Sequence, residues 1–177
     1  QKKQLENMND LVLRSLGSGS VEVAGELEVN GSIAGPAPVA LTPAASVTIT
    51  KADHEGRILT IASTATANDS YLIPVPTRIG ESYRFVWSGV AVDEDNIILR
   101  AVTADAFTFS GGLLDFDGDN TGAGVVTAVY PGGDDDQLTL TDCNTFDITF
   151  TATSLTNYLV SGYHISTGTA SAFGDIS

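Results

Sequence analysis

The sequence predicts an all-β protein: an antiparallel, jelly-roll-like β-sandwich head carried on a short N-terminal helix and a short hexad-repeat β-shaft. Three observations predict it. From Val39 onward, apolar residues alternate with polar ones in short runs rich in Thr, Val, Ile, Phe and Tyr, and clusters of Gly, Asn, Asp and Pro separate the runs. Between Gly17 and Ile33 the chain repeats with a period of six. Before Gly17 the apolar residues recur instead at spacings of three and four. The expected parts are 1–16, 17–38 and 39–177.

The first part, Lys2 to Leu16, is rich in helix formers. Leu5, Met8, Val12 and Leu16 share one face; Leu5, Asn9, Val12 and Leu16 fit the same spacing. A helix this short is marginal alone. Asn7 and Asn9 could supply the polar layer that sets register in a short coiled coil. The other reading is a helix packed on its own head or on another protein. Gly17-Ser18-Gly19-Ser20 ends the helix in a flexible joint.

In the hexads, Val21, Leu27 and Ile33 fall in one register, Val23 and Val29 in a second, and Gly25 and Gly31 in a third. Each unit therefore offers two inward apolar residues and a corner glycine. Stacked repeats need about three or more units to bury a core, so the missing partners are expected from other copies of the chain. The expectation is an intertwined homotrimer. Gly35-Pro36-Ala37-Pro38 then forms a stiff linker.

Roughly nine or ten strand-like runs follow: Val47 to Thr50, Arg57 to Ala62, Tyr71 to Val75, Tyr83 to Val90, Ile97 to Val102, Phe107 to Phe109 continuing toward Leu114, Val125 to Val129, Leu138 to Thr141, Phe146 to Thr151 and Tyr158 to Ile165. With no convincing helix between them, they argue for a sandwich. Tyr83, Phe85 and Trp87 share a face, as do Phe146, Ile148 and Phe150, which marks half-buried strands. A head of about 140 residues can bury roughly two-thirds of its unfolded surface and needs neither metal nor disulfide. Trp87 reads as a core anchor before a sugar platform.

Charge narrows the partners. Twenty-two acidic residues face eight Lys and Arg, a net charge of −14, and from Ala101 to Ser177 there are ten Asp and no Lys or Arg. Such a head repels phosphate backbones and anionic lipid, so neither nucleic acid nor a membrane is an expected partner. Solubility is the plain reason for the acidity, and a calcium-rich medium the alternative. The single cysteine, Cys143, leaves no intrachain disulfide to form and reads as a turn or half-buried thiol. No apolar run approaches the roughly 18 residues of a membrane helix, and the N-terminal stretch has no signal-peptide h-region.

Little points to catalysis. Asp115-Phe116-Asp117-Gly118-Asp119-Asn120 alternates hard oxygen donors, which makes Asp115, Asp117 and Asp119 the calcium candidates. The EF-hand pattern fails, because Asn120 stands at the turn glycine and Val126 at the bidentate glutamate. Asp93 to Asn96 and Asp134 to Asp136 are comparable acidic turns, so a solvated loop is the expected state and no metal or cofactor is favoured. His54 reads as a turn residue and His164 as a strand residue; no Gly-x-Ser-x-Gly elbow, zinc spacing or selected carboxylate pair occurs. A non-enzymatic protein is expected.

The order of parts resembles trimeric surface proteins of tailed, marine-type phages, with Val21 to Ile33 carrying most of the likeness. The resemblance implies a virion-surface protein: a homotrimeric capsid decoration (cement) protein or short head fibre. Its N-terminal segment would meet the major capsid protein or another virion protein, and its acidic head would point into water. Leu5, Met8, Val12 and Leu16 would then serve attachment or trimer burial, and Val21, Val23, Leu27, Val29 and Ile33 the shaft. Gly-x-Leu-x-Val-x-Gly runs also occur in bacterial adhesins, so a tail-fibre or adhesin tip that binds a cell-surface glycan is the alternative. Lys2, Lys3 and Arg14 make the N-terminus the basic-leaning end, although Glu6 and Asp10 nearly balance them.

Overall fold

The computed structural model describes residues 36–89, 95–118, 126–167 and 170–176. The expected N-terminal helix and all but the last three residues of the expected shaft and linker lie outside the described residues. Residues 36–38 are irregular chain leading into the first strand.

The all-β expectation holds. One sheet runs in the order β1 (Val39–Ala40), β3 (Ile58–Ile61), β5 (Ser82–Trp87), β11 (Cys143–Ser154), β12 (Asn157–Ser166), β8 (Leu113–Asp117) and β9 (Val126–Val129), and β7 (Thr108–Gly111) also pairs with β12. The other runs β13 (Ala172–Gly174), β10 (Gln137–Leu140), β6 (Asn96–Ala101), β4 (Asn68–Ile73) and β2 (Ser46–Thr48). Most lie within a few residues of the runs read from the sequence. Two short strands, β1 and β13, carry too few residues to show a period.

The expectation of wholly antiparallel, jelly-roll-like sheets is corrected: both sheets are mixed. β1, β3 and β5 run parallel to one another, as do β2, β4 and β6, and both β7 and β8 run parallel to β12. The reason lies in the path of the chain. Over its first six strands it alternates between the sheets, so each strand meets in its own sheet the strand two places earlier, after a full return through the opposite layer. Parallel neighbours need a crossover of a dozen or more residues, and the intervening strand supplies it. Antiparallel pairing dominates the second half, where β11 and β12 form a long hairpin around Leu155-Thr156.

A single core lies between the layers. It takes Leu59, Ile61, Phe85, Phe146, Ile148 and Phe150 from the first sheet and Tyr71, Ile73, Ile97, Leu99, Leu138 and Leu140 from the second. Alternation of burial along β5 and β11 matches the pattern read from the sequence, with Tyr83, Phe85 and Trp87 all inward. Aromatic rings pack across and within the layers: Tyr71 of the second sheet meets Phe85 of the first edge-on at 6.3 Å, and Phe85 meets Phe150 of its own sheet at 5.8 Å. Each such pair adds about 1 kcal/mol beyond its burial.

A one-turn helix, α1 (Lys51–His54), stands where the sequence suggested only a turn. Thr50 caps it, its hydroxyl accepting from the Asp53 amide, while Nδ1 of His54 accepts from the Thr50 amide at 2.9 Å. Among the described residues no helix is long and apolar enough to cross a membrane.

Candidate functional site

Four carboxylates are buried among the described residues: Asp69, Glu81, Asp115 and Asp136. A buried carboxylate needs partners, and each has them. Asp69 accepts from the amides of Ala65 and Thr66 and so staples the loop ahead of β4. Asp136 accepts from the amides of Asp105 and Ile176, both at 2.8 Å.

Glu81 lies just before β5. Its Oε1 accepts from the hydroxyls of Tyr83 at 2.8 Å and Tyr158 at 3.1 Å, and its Oε2 from the Thr77 amide at 3.0 Å, with Lys51 Nζ 3.3 Å away. Burial acts to raise its pKa, but the Thr77, Tyr83, Lys51 and Tyr158 donors outweigh it and hold the carboxyl below its ordinary value. Burial, with the charge of Glu81, pushes the Tyr83 and Tyr158 hydroxyls far up, so both remain donors.

Asp115 sits on β8 opposite His164 of β12, both facing inward. His164 Nδ1 lies 3.2 Å from Asp115 Oδ2 and 2.7 Å from Ser171 Oγ; Ser166 Oγ donates to Asp115 Oδ1, and the Ser171 amide donates to Oδ2 at 2.6 Å. Burial acts to raise the Asp115 pKa, yet the bonds from His164 and Ser171 outweigh it and leave the carboxyl lowered. Serine, histidine and aspartate here share the composition of a hydrolytic triad but not its geometry. A relay needs nucleophile and carboxylate on opposite ring nitrogens, and here both approach Nδ1. His164 is fully buried and its Nε2 has no hydrogen-bond partner among the described residues. The cluster clamps β8, β12 and the chain ahead of β13.

The placement of Asp115 changes the reading of the acidic run. Asp115 to Asp117 form the end of a strand, not a loop, with Asp115 buried and Asp117 half-buried; Asp119 lies outside the described residues. Elsewhere, carboxylate oxygens of Asp134, Asp135 and Asp175 lie within 4.8 Å of one another. Slight desolvation and these neighbours raise the pKa of exposed Asp175. Nothing else there points to a ligand. Leu5, Met8, Val12, Leu16, Val21, Val23, Leu27, Val29 and Ile33 all lie outside the described residues.

What the outer surface offers is apolar. On the face of β12, β8 and β9 that points away from the core, Tyr163 neighbours Leu114 and Leu114 neighbours Ala128, while Ile165 neighbours Phe116 and Phe116 neighbours Val126. Two rows of three apolar side chains result. Leu114 is 46% exposed, Val126 51% and Tyr163 38%, whereas Asp115, next after Leu114 on β8 and pointing to the other side, is 3% exposed. Leu114, Phe116, Gly162, Tyr163 and Ile165 line an open depression of about 580 Å³. Tyr163 meets Phe116 edge-on at 6.5 Å. No family model matches this sequence, and no curated protein matches it. The surface must therefore be read from its own chemistry. Contiguous exposed apolar patches are the kind of surface on which interaction sites are sought.

The sequence reading missed both the clamp and the face. A signal for the clamp was present: His164 and Ser166 continue the inward series of Tyr158 and Val160 along β12, which calls for a buried polar partner.

Proposed function

We propose that this protein is a non-enzymatic structural component of a phage particle, carried on the virion surface as a homotrimeric capsid decoration protein or short head fibre. A β-sandwich head would stand on the N-terminal helix and hexad shaft, and the N-terminal segment would attach to the major capsid protein or another virion protein. The observation that carries the reading is the contrast within the head. Its buried carboxylates are held by internal donors, while its outer β12–β8–β9 face is apolar and open. Groups held that way support a rigid display module rather than a turnover site. The absence of Lys and Arg from 101–177 argues against nucleic acid and anionic membrane as partners of this region.

Tyr163 and Phe116 on the outer face favour one second reading, a tail-fibre or adhesin tip that stacks a sugar on aromatic rings. Against it, the depression is lined by aliphatic and aromatic groups with a single side-chain hydroxyl, whereas sugar recognition requires several directed hydrogen bonds.

Copy number separates the two. Quantitative gel densitometry of purified particles should place the protein among the abundant components; a few copies per particle would favour the tail tip. Replacing Leu27 and Ile33 together by Asp would put unpaired carboxylates into each chain's shaft, and particles grown with that variant should lack the protein. Normal decoration would overturn the shaft.

A further inference from the structure

We propose that the outer face of β12, β8 and β9 is the surface on which a second copy of this chain packs. The argument begins with charge. Two copies of a chain carrying −14 repel one another wherever acidic surfaces meet. Across the outer face of β5, β11, β12, β8 and β9, the only charged side chains among the described residues are Arg84 and Asp147. They pair with each other, Arg84 Nε donating to Asp147 Oδ1 at 2.8 Å, so among the described residues these five strands present a neutral face. Identical molecules can approach here without like-charge repulsion.

The arrangement is also that of an interface. Leu114, Phe116, Tyr163 and Ile165 form an apolar centre, and Asp147, the cross-strand neighbour of Tyr163, brings the Arg84 pair to its border. An apolar centre with a polar rim is how specific protein interfaces are built, and tyrosine and arginine are favoured there. A symmetric arrangement places the same patch of each copy against the other or around a common axis. The inference rests on the proposed self-assembly, but not on where the assembly is displayed.

The test uses the full chain with single cysteines introduced at exposed positions, so that folding is little affected. Leu114→Cys, Val126→Cys and Tyr163→Cys are compared under mild oxidation with Ile79→Cys, a position 70% exposed in the loop before β5. The native Cys143 is buried and serves as background. At least one of the three should form chain-to-chain disulfides roughly ten-fold faster than Ile79→Cys, because an interface raises the effective concentration of the two thiols. Rates equal to the control at all three positions overturn the proposal. In sedimentation equilibrium, Leu114→Glu combined with Tyr163→Glu should weaken self-association about ten-fold or more. If association is unchanged while incorporation into particles falls, the face meets the shell protein and the second-copy proposal is wrong. Low copy number on particles with fast crosslinking would instead remove the decoration reading and leave this one standing.

Discussion

Ser171 holds Asp115 and His164 together: its amide donates to Asp115 Oδ2 at 2.6 Å, and its hydroxyl lies 2.7 Å from His164 Nδ1. One residue just ahead of β13 thus completes a polar cluster inside the first sheet. Asp115→Ala should lower unfolding stability by about 3 kcal/mol, because it strips partners from groups that remain buried. Ser171→Ala keeps the amide bond and should cost about 1 kcal/mol. Urea denaturation checks both. Should a serine-directed phosphonate label Ser171, the structural assignment of the cluster would be refuted.

Stability should fall in acid. Asp115 and Glu81 both have folded-state pKa values held below their ordinary values. As pH drops, the unfolded chain takes up protons on these groups first, so stability present above about pH 4 to 5 is lost as pH falls through the folded-state values. Urea midpoints measured from pH 7 to pH 3 should decline at the acid end. Glu81→Gln should be destabilised by about 2 kcal/mol at pH 7 and show a shallower acid decline. Identical slopes for variant and wild type would remove Glu81 as a source.

Gly162→Ala should cost about 3 kcal/mol. Gly162 has φ +144 in the middle of β12, and a Cβ there would collide with the carbonyl oxygen of Asp147 on β11. A thermal melt within a degree of wild type would show that the hairpin can shift to accept the methyl group.

Calcium should have little effect on the head. Asp115, which heads the acidic run, accepts bonds from Ser166 and Ser171 inside the sheet and is not available as a surface ligand. A site saturated at 100 times its dissociation constant would add about 2.7 kcal/mol, an effect visible in any melt. Thermal midpoints in EDTA and in millimolar calcium should coincide. A large shift abolished by Asp117→Ala would reverse this.

Strand positions were legible because alternation is local. Tyr83, Phe85 and Trp87, or Phe146, Ile148 and Phe150, declare their inward face within five residues, and the structure buries all six. Strand direction was not legible. Nothing between Ile61 and Ser82 says that β4 crosses to the other sheet, so that β3 and β5 become parallel neighbours. Nor could the outer face be seen, since Leu114, Val126 and Tyr163 are each a single exposed apolar residue until pairing aligns them.

By itself, then, the sequence determined the all-β class, the inward residues of the longer strands and the acidic surface, all of which follow from residue type and nearest-neighbour spacing. The tertiary structure alone decided which segments meet. Asp115 and His164 stand 49 positions apart, and they face one another because β8 and β12 pair in parallel with that register. The same register sets Leu114 beside Tyr163 on the opposite side. Shifting β8 by one residue against β12 would take Asp115 from His164 and Leu114 from Tyr163 together, so one register sets both sites at once.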